Sequence, residues 1–595
     1  MAGERTALLV LVPDLMWRDA PPALATFAKA SLSVRAAPAE SDAADGYLTV
    51  AKGARSGAPP DGIGPVVEHP DGSWRLAAWP RLRGHDRRLH YGGELGALGT
   101  ALRRSAKTWV LVTNDRRAAA AAADTDGVVP KGVAGGAEAV PGVLADGANA
   151  VIVAVPGEEL AAVLEAGSGA RCVVVASVST PDLEHLGVFA TSPGCGFGAN
   201  GLTSPSTHQP RLVTLPDVAP TFLAALGIPA PKPMAGFTVE RSGDAAVSGL
   251  IERDRRASVA DRVRTPLVWL FVGLHAIAAV VVLTAPRLRR SATLAVLSVP
   301  PASFVAMAAP WWRWGFLGAV VTGGVIAMAL GTLASTIARD DSSAAIAFVV
   351  AATGAIIALD NLFGGPLQID APFGNSPVRG GRYFGLGNVG FAFLSASLLV
   401  GAAFARDRWG AGARPWVLAI FLAGAAVIGA PWFGADAGGV VVAVCAFGVF
   451  VLGWDAGGLT FRRLAAVVAV ACVAVVGFAV VDVMRPERSR THLGRALTGN
   501  DDAAGVIARK GSRALATLNA PLTNVLWIGS LTLLLARPRL TGRPGLRAGT
   551  WGILSLAVLG SALNDSGLQV GGGVAAIVWP AYIVLGQASP SSAPP

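Results

Sequence analysis

The sequence predicts an α/β N-terminal domain followed by an all-α polytopic transmembrane domain of about eleven helices. The chain of 595 residues is 52% hydrophobic and only 15% charged, with a mean hydropathy of +0.52, which is typical of a membrane protein. The apolar residues follow two patterns. Short β-branched runs occupy residues 1–250, and apolar runs of about twenty residues begin at Thr265.

Residues 1–250 alternate between candidate strands and Ala-rich stretches of helical length, Pro21–Ala30 and Arg116–Ala123. Strands that alternate with helices favour a mostly parallel sheet covered on both faces. The strands are too short to span a bilayer. They are predicted at Ala7–Val12, Trp109–Thr113, Ala150–Val155, Cys172–Val178 and Arg211–Thr214.

Residues 251–264 are predicted to be a linker, residues 265–586 the transmembrane domain, and residues 587–595 a disordered Ser/Pro tail. The last two predicted spans flank Asn564-Asp565-Ser566-Gly567, and they are either two spans or one broken hairpin. The eleven spans are predicted at 265–285, 292–309, 315–337, 343–362, 386–405, 416–434, 437–454, 463–484, 521–537, 549–563 and 568–586.

The net charge of +10 is carried mainly by arginines that flank the apolar runs. Such arginines orient a protein in the membrane, and no nucleic-acid-binding signature occurs, so no nucleic acid partner is expected. Arginine-rich short loops are predicted to be cytoplasmic, which places loops 364–385, 435–436, 485–520 and 564–567 outside. The arginine-rich loops are Arg287–Arg290, Arg406–Arg414, Arg462–Arg463 and Arg537–Arg547.

Counting back from these loops along the predicted spans places the N-terminal domain outside as well. The sequence therefore predicts a plasma-membrane protein whose N-terminal domain is extracytoplasmic. Two features oppose this placement. Arginines such as Arg253 and Arg264 precede the first span, and Met1–Pro13 is predicted to be the first core strand rather than a signal peptide. Either the domain is cytoplasmic and one span is miscounted, or a signal lies upstream.

The four cysteines have no short paired spacing, so a disulfide framework is not expected. Cys445 and Cys472 lie in apolar runs and are interpreted as small hydrophobic residues. Neither of these observations identifies the redox compartment.

Three stretches of the N-terminal domain carry a family resemblance. Leu215–Leu223, followed by Leu226-Gly227-Ile228-Pro229, matches the pattern D-[IV]-x-P-T-x-L…L-G-[IV]. Leu8–Asp14 is a strand that ends in aspartate, and Gly46–Thr49 leads into Gly53-Ala54-Arg55. Together they resemble the alkaline phosphatase-like superfamily, which includes phosphatases, sulfatases, phosphomutases and membrane-tethered phosphoglycerol or phosphoethanolamine transferases. The resemblance covers about 240 residues.

The resemblance implies a two-metal phosphoryl-transfer site with about six Asp or His ligands. It implies that Asp14 is a metal ligand, that Thr49 is the nucleophile, and that His208 is the last ligand. Active members have an Asp-His pair after the strand that corresponds to Cys172–Ala176, where this chain has Ser177-Val178-Ser179.

Asp124 or Asp126 could supply one more carboxylate, which leaves about three ligands. We therefore interpret Asp14, Thr49 and His208 as remnants in a degenerate domain, with no metal or cofactor expected. Two divalent metals are expected only if the domain is active. In the purely structural alternative Asp14 caps a turn, Thr49 and His208 are ordinary residues, and Asp217 N-caps the helix Ala219–Leu226.

Charged residues within apolar segments are costly, so they are candidates for function. Three Gly-rich breaks interrupt the membrane half: the loop after Asp360-Asn361, which contains Asp370; Gly434–Gly439; and Asn564–Gly567. All three are predicted on one face, where irregular backbone lines a cavity.

Arg379 and Arg382 provide planar donors that suit phosphate, and Asn388 lies near a helix N-terminus, so all three are predicted to bind substrate. The alternative is a packed re-entrant loop. In loop 485–520, Arg495, Arg509 and Lys510 form either a phosphate clamp or a lipid-headgroup contact. The predicted acid/base residues are Asp436, Asp565 and His492.

These features predict a multi-pass protein of cell-envelope biogenesis that handles a phosphate-containing or otherwise anionic lipid or glycan. Its expected partners are membrane lipids, a lipid-linked anionic substrate and envelope proteins. Three alternatives stay open: a transporter or flippase with a non-catalytic outer domain, an active metal-dependent phosphotransferase, and a non-enzymatic scaffold.

Overall fold

The computed structural model contains two compact units that follow the two halves of the sequence, with two exceptions. Among the described residues, the N-terminal unit comprises the chain up to Ser258, Ser376–Tyr383 and Thr498, and the membrane unit comprises the rest. Ser376–Tyr383 therefore lies far along the sequence from the unit to which it belongs. The structure describes residues 6–38, 40–182, 184–454, 460–498, 511, 512, 515, 543–564 and 566–586.

The N-terminal unit is built on a mixed sheet of eight strands in the order β12-β2-β10-β9-β1-β8-β5-β7. The strands from β9 to β7 are parallel, β10 is antiparallel to both of its neighbours, and β12 is parallel to β2. Two small antiparallel sheets, β3-β4-β6 and β11-β13, lie beside it. The strands are β1 (Ala7–Val12), β2 (Ala28–Ser33), β3 (Val66–Glu68), β4 (Trp74–Leu76), β5 (Trp109–Thr113), β6 (Val128–Val129), β7 (Gly132–Val133), β8 (Ala150–Ala154), β9 (Cys172–Ser177), β10 (Gly187–Thr191), β11 (Leu202–Thr203), β12 (Leu212–Thr214) and β13 (Glu240–Arg241).

Apolar side chains cover both faces of this sheet, as expected for parallel strands. Leu9 and Leu11 of β1 belong to one apolar cluster, and Leu8 and Val10 belong to another. Because successive side chains in a strand point to opposite faces, helices pack on each side. These helices are α1 (Ala43–Lys52), α2 (Trp79–Arg88), α3 (Ala97–Arg104), α4 (Ala119–Ala122), α5 (Val140–Ala145), α6 (Leu160–Ala166) and α7 (Val218–Ala225).

The five predicted strands are confirmed, but two other predictions for this half are wrong. The predicted helix Pro21–Ala30 is a single 3₁₀ turn, Pro22–Thr26, followed by β2. Pairing of β2 with β10 and β12 outweighs the helix propensity of its alanines. Cys172 and Cys195 form a disulfide although 23 positions separate them, because Cys195 follows β10 beside the start of β9.

Eight helical segments of the described residues are long and apolar enough to cross a membrane, so the predicted count of eleven is not confirmed. The predicted span 521–537 and the tail 587–595 lie outside the described residues, and the predicted linker 251–264 is part of α8. The last two predicted spans are separate helices. The helices are α8 (Val247–Thr284), α9 (Arg289–Val305), α10 (Gly315–Ala338), α11 (Ser342–Leu362), α12 (Asn388–Trp409), α13 (Arg414–Gly429), α14 (Ala437–Leu452), α15 (Phe461–Val483), α16 (His492–Leu497), α17 (Pro544–Leu563) and α18 (Leu568–Leu585).

Helices α12, α14, α17 and α18 form the centre of the membrane unit. Glycines of α17 allow close packing, since a Cβ on Gly549 would lie 2.2 Å from the Tyr582 hydroxyl and one on Gly560 2.7 Å from Val570. By contrast, most apolar residues of α10 and α15 are exposed. Such faces suit contact with lipid tails.

The start of α8 is joined to the N-terminal sheet by an ion pair. His185 Nδ1 lies 2.8 Å from Asp254 Oδ2, and the Leu186 amide donates to Asp254 Oδ1 at 2.7 Å. The hydrogen bond and charge of Asp254 raise the pKa of His185 above its ordinary value near 6.5. The pair therefore stabilises the folded unit fully below that value, and the contribution is lost as pH rises through the raised pKa.

We expect His185→Gln to weaken the protection of Val247–Ser258 at pH 5.5 by on the order of 1 kcal/mol, and by less at pH 9. The measurement is hydrogen exchange of the full chain, corrected for intrinsic rates, at several pH values. A difference between wild type and variant that does not change with pH would contradict the expectation.

Candidate functional site

The N-terminal unit has an open cleft of about 630 Å³ at the carboxyl ends of β1, β5 and β8. Clefts at this edge of a parallel sheet commonly bind ligands. Most of the charged side chains around it are carboxylates. The polar lining residues are Asp14, Asp19, Tyr47, Asn114, Asp115, Arg117, Glu158 and Glu159.

Asp14 and Asp115 are each held in place within this cleft. Asp14 has a left-handed backbone (φ 57°), its amide donates to Ser179 O at 3.2 Å, and Ser179 Oγ donates to Asp14 Oδ1 at 2.8 Å. Arg117 Nε donates to Asp115 Oδ1 at 3.0 Å, and the Tyr47 hydroxyl lies 3.5 Å from Asp115 Oδ2. Burial and the Asp115 charge raise the pKa of Tyr47, so this hydroxyl stays protonated.

The three predicted remnant residues do not form one site. Only Asp14 lines the cleft. Thr49 is fully buried, where its Oγ1 accepts the Ser56 amide at 3.1 Å, and His208 is exposed in a turn whose amide donates to Ser204 O at 3.0 Å. In the part of the chain that the structure describes, no three His, Cys, Asp or Glu side chains are grouped to hold a metal ion.

Asp217 stands at the N-cap position of α7, as predicted, but its side chain makes no capping hydrogen bond. Its fully buried carboxylate accepts hydrogen bonds from the Thr214 amide at 2.8 Å, Ser206 Oγ at 2.5 Å and the Phe237 amide at 2.8 Å. It does not bond the first turn of α7. Burial raises the pKa of Asp217, and these donors oppose that rise. Asp217 therefore joins three segments of the N-terminal unit.

In the membrane unit the three Gly-rich breaks lie together, as predicted. Leu386 N donates to Gly434 O at 3.1 Å, and Asn388 Nδ2 donates to Ser566 Oγ. Gly385 has a φ of 74°, and a Cβ there would lie 2.4 Å from Gly434 O. The N-terminal ends of α12, α14 and α18 therefore converge on one region.

Buried polar groups at the end of α11 adjoin this region. Asp360 accepts the Leu367 amide at 2.8 Å and Gln368 Nε2 at 3.1 Å. Asn361 Nδ2 donates to Val427 O at 3.2 Å. These contacts fix the loop that leads to Asn375.

Asp436 is the N-cap of α14: its carboxylate accepts the Gly439 amide at 3.0 Å and is 4% exposed. Its contact is a capping contact, and the predicted acid/base role stays a prediction. Asp565, Arg509, Lys510 and the side chain of His492 lie outside what the structure describes. Arg495 lies half-buried on α16.

Asp482, which is not among the residues predicted from the sequence, organises the start of loop 485–520. It is fully buried and accepts Arg485 Nη1 at 3.0 Å, Thr491 Oγ1 at 2.7 Å and the Gly494 amide at 2.8 Å. The usable signal was an acid at the end of an apolar helix, three residues before an arginine.

Arg379 and Arg382 lie in the segment Ser376–Tyr383, and Asn388 lies five residues after it. Their segment belongs to the N-terminal unit, where Val378 and Tyr383 pack with Leu186, Leu212 and Ala257, whereas Asn388 starts α12 in the membrane unit. Arg379 is exposed and Arg382 half-buried. The substrate-binding role of these three residues stays a prediction.

Comparisons with known proteins give no match, whether with protein-family models, with curated proteins or with solved structures. The arrangement of helix ends and buried polar groups in the membrane unit is therefore the main basis for a functional proposal. The most informative contact in that arrangement joins the first residue of α12 to Ser566.

Proposed function

We propose that this protein, a multi-pass protein of the plasma membrane, handles a phosphate-containing or otherwise anionic lipid or lipid-linked glycan in envelope biogenesis. The convergence of three helix N-termini supports this proposal. Such ends carry partial positive charge and amide donors that bind anions.

The start of α12 is the best candidate for the anion. The N-cap of α14 is Asp436, which accepts a first-turn amide, whereas the N-cap of α12 is Gly387, which has no side chain to do so.

The proposal also covers the N-terminal domain, which we assign as extracytoplasmic and as a degenerate member of the alkaline phosphatase-like superfamily. The disulfide Cys172–Cys195 supports the placement, because disulfides persist in oxidising compartments. Asp14, which follows β1 beside Ser179, supports the resemblance.

The variant Asn388→Asp tests the anion site. A carboxylate in the first turn interacts favourably with the helix dipole, so the fold should be kept, while its charge repels an anionic ligand. We expect the affinity of the detergent-solubilised full chain for short-chain phosphatidic acid to fall about tenfold, or about 1.4 kcal/mol. The measurement is isothermal titration.

Asn388→Ser is the matched control, because it keeps a neutral polar side chain at the same position. Short-chain phosphatidylcholine is the control ligand. Equal affinity of wild type and Asn388→Asp for phosphatidic acid, or equal binding of both lipids by the wild type, would exclude an anion site at α12.

A further inference from the structure

Residues Ser376–Tyr383, which we name the clip, form a loop. The residues that flank the loop, which we call its base, lie next to each other. At the base, Asn375 Nδ2 donates to Gly385 O at 3.2 Å, so the residues on either side of the clip are bonded to each other. Both of these residues belong to the membrane unit, whereas the clip itself belongs to the N-terminal unit.

The clip is held by a chain of hydrogen bonds in which each donor and each acceptor can be assigned. Ser33 Oγ, at the end of β2, donates to Pro377 O at 2.8 Å, so it accepts from the Tyr383 hydroxyl at 2.8 Å. That hydroxyl in turn accepts from Arg55 Nη2 at 3.4 Å. Ser33 and Tyr383 are both buried, so each donor lost would leave a buried acceptor without its partner.

The turn of the clip fits closely around the same groups. Gly380 has a φ of 59°, its carbonyl accepts from Arg55 Nη2, and its amide donates to Ser376 O at 3.0 Å. A Cβ on Gly380 would lie 2.7 Å from the Tyr383 hydroxyl and 2.9 Å from Arg35 Cβ. The clip therefore has one well-defined position on the N-terminal domain.

The base of the clip is also the start of the proposed anion site. Leu386 N donates to Gly434 O, and α12 begins at Asn388. On the other side of the base, Arg264 Nη1 donates to Gly374 O at 3.0 Å. Tyr383 and Gly385 are two residues apart, a span of at most about 7 Å in extended chain, so little slack can absorb a shift of the tyrosine.

We propose that Ser33 and Tyr383 are positioning residues for the anion site, through which the N-terminal domain controls the placement of Gly385–Asn388 and hence anion affinity in the membrane unit. This inference rests on the proposed function for its ligand, but the mechanical coupling can be tested separately. The N-terminal domain is then a regulatory element, and the clip links its conformation to the placement of Gly385–Asn388.

The test compares wild type, Tyr383→Phe and Ser33→Ala as full chains in detergent. Tyr383→Phe keeps the packed ring and removes only the hydroxyl. We expect hydrogen exchange of residues 384–392 to rise about threefold or more and affinity for short-chain phosphatidic acid to fall by a similar factor. The matched control is Ser177→Ala, which removes a buried hydroxyl bonded to Leu15 O and the Val188 amide in the same domain.

Faster exchange confined to residues 376–383, with residues 384–392 as in wild type, would overturn the coupling. The same change at 384–392 in Ser177→Ala would also overturn it, because general destabilisation would then explain the result. Faster exchange at 384–392 in the two clip variants alone, in a protein that does not bind phosphatidic acid, would support the coupling and reject the proposed function.

Discussion

Replacing Asp86 with alanine is expected to destabilise the N-terminal unit by about 3–5 kcal/mol, because it leaves a buried ammonium group without its counter-charge. Lys52 Nζ lies 2.8 and 2.9 Å from the two Asp86 oxygens, and the side chains are 2% and 5% exposed. Ser56 Oγ also donates to Asp86 at 2.6 Å. Burial lowers the pKa of Lys52, and the Asp86 charge opposes that effect.

The measurement is urea unfolding of the full chain, followed by hydrogen exchange in α1 and α2. The double variant Lys52→Met/Asp86→Leu is the control, and it should be close to neutral because it removes both charges together. If the double variant were as unstable as Asp86→Ala, loss of packing rather than an uncompensated charge would be the cause.

The second large effect is expected in the membrane unit, where His275→Ala should cost about 2–4 kcal/mol. His275 is 2% exposed, and its Nε2 lies 3.2 Å from Ala576 O. Ala576 lies four residues before Pro580, which has no N–H, so this carbonyl lacks its usual helical donor. The imidazole therefore joins α8 to α18 at the carbonyl that Pro580 leaves without a helical donor. The centroid of the His275 ring lies 4.1 Å from that of Phe271 and 5.8 Å from that of Trp579.

Pro580→Ala allows this explanation to be tested, because alanine restores an N–H that can bond Ala576 O. We expect His275→Ala to cost about 0.5–1.5 kcal/mol less in the Pro580→Ala background than in wild type. Reversible unfolding in mixed micelles would measure the four proteins of this cycle. An equal cost in both backgrounds would assign the whole effect of His275 to packing.

The sequence predicted those helices and strands whose own residues determine their conformation. The run Ala7–Val12 is apolar on both faces and forms the central strand β1, and residues 568–586 are predominantly apolar and contain α18. By contrast, Ala28–Ser33 has alanines that favour a helix, and only its neighbours β10 and β12 make it a strand. The disulfide was missed for the same reason, because strand pairing brings Cys195 to Cys172.

The candidate site was predicted in part. Glycines and acids in apolar sequence correctly indicated the three breaks that meet through Gly434, Asn388 and Ser566. The packing of the segment that contains Arg379 could not be predicted, because it depends on contacts such as Ser33–Tyr383, whose residues are 350 positions apart. Asp436 was correctly found as a buried acid, but the sequence does not distinguish a cap from an acid/base group.

The clip also sets an order of events during biosynthesis. The N-terminal domain is translated first, but Pro377 and Tyr383, which complete its packing around Ser33, follow four of the apolar helices in the chain. At ordinary elongation rates that delay is on the order of ten seconds. During this interval the ends of β2 and β12 lack their final cover, so membrane insertion of the first helices precedes the last step of folding of the domain made before them.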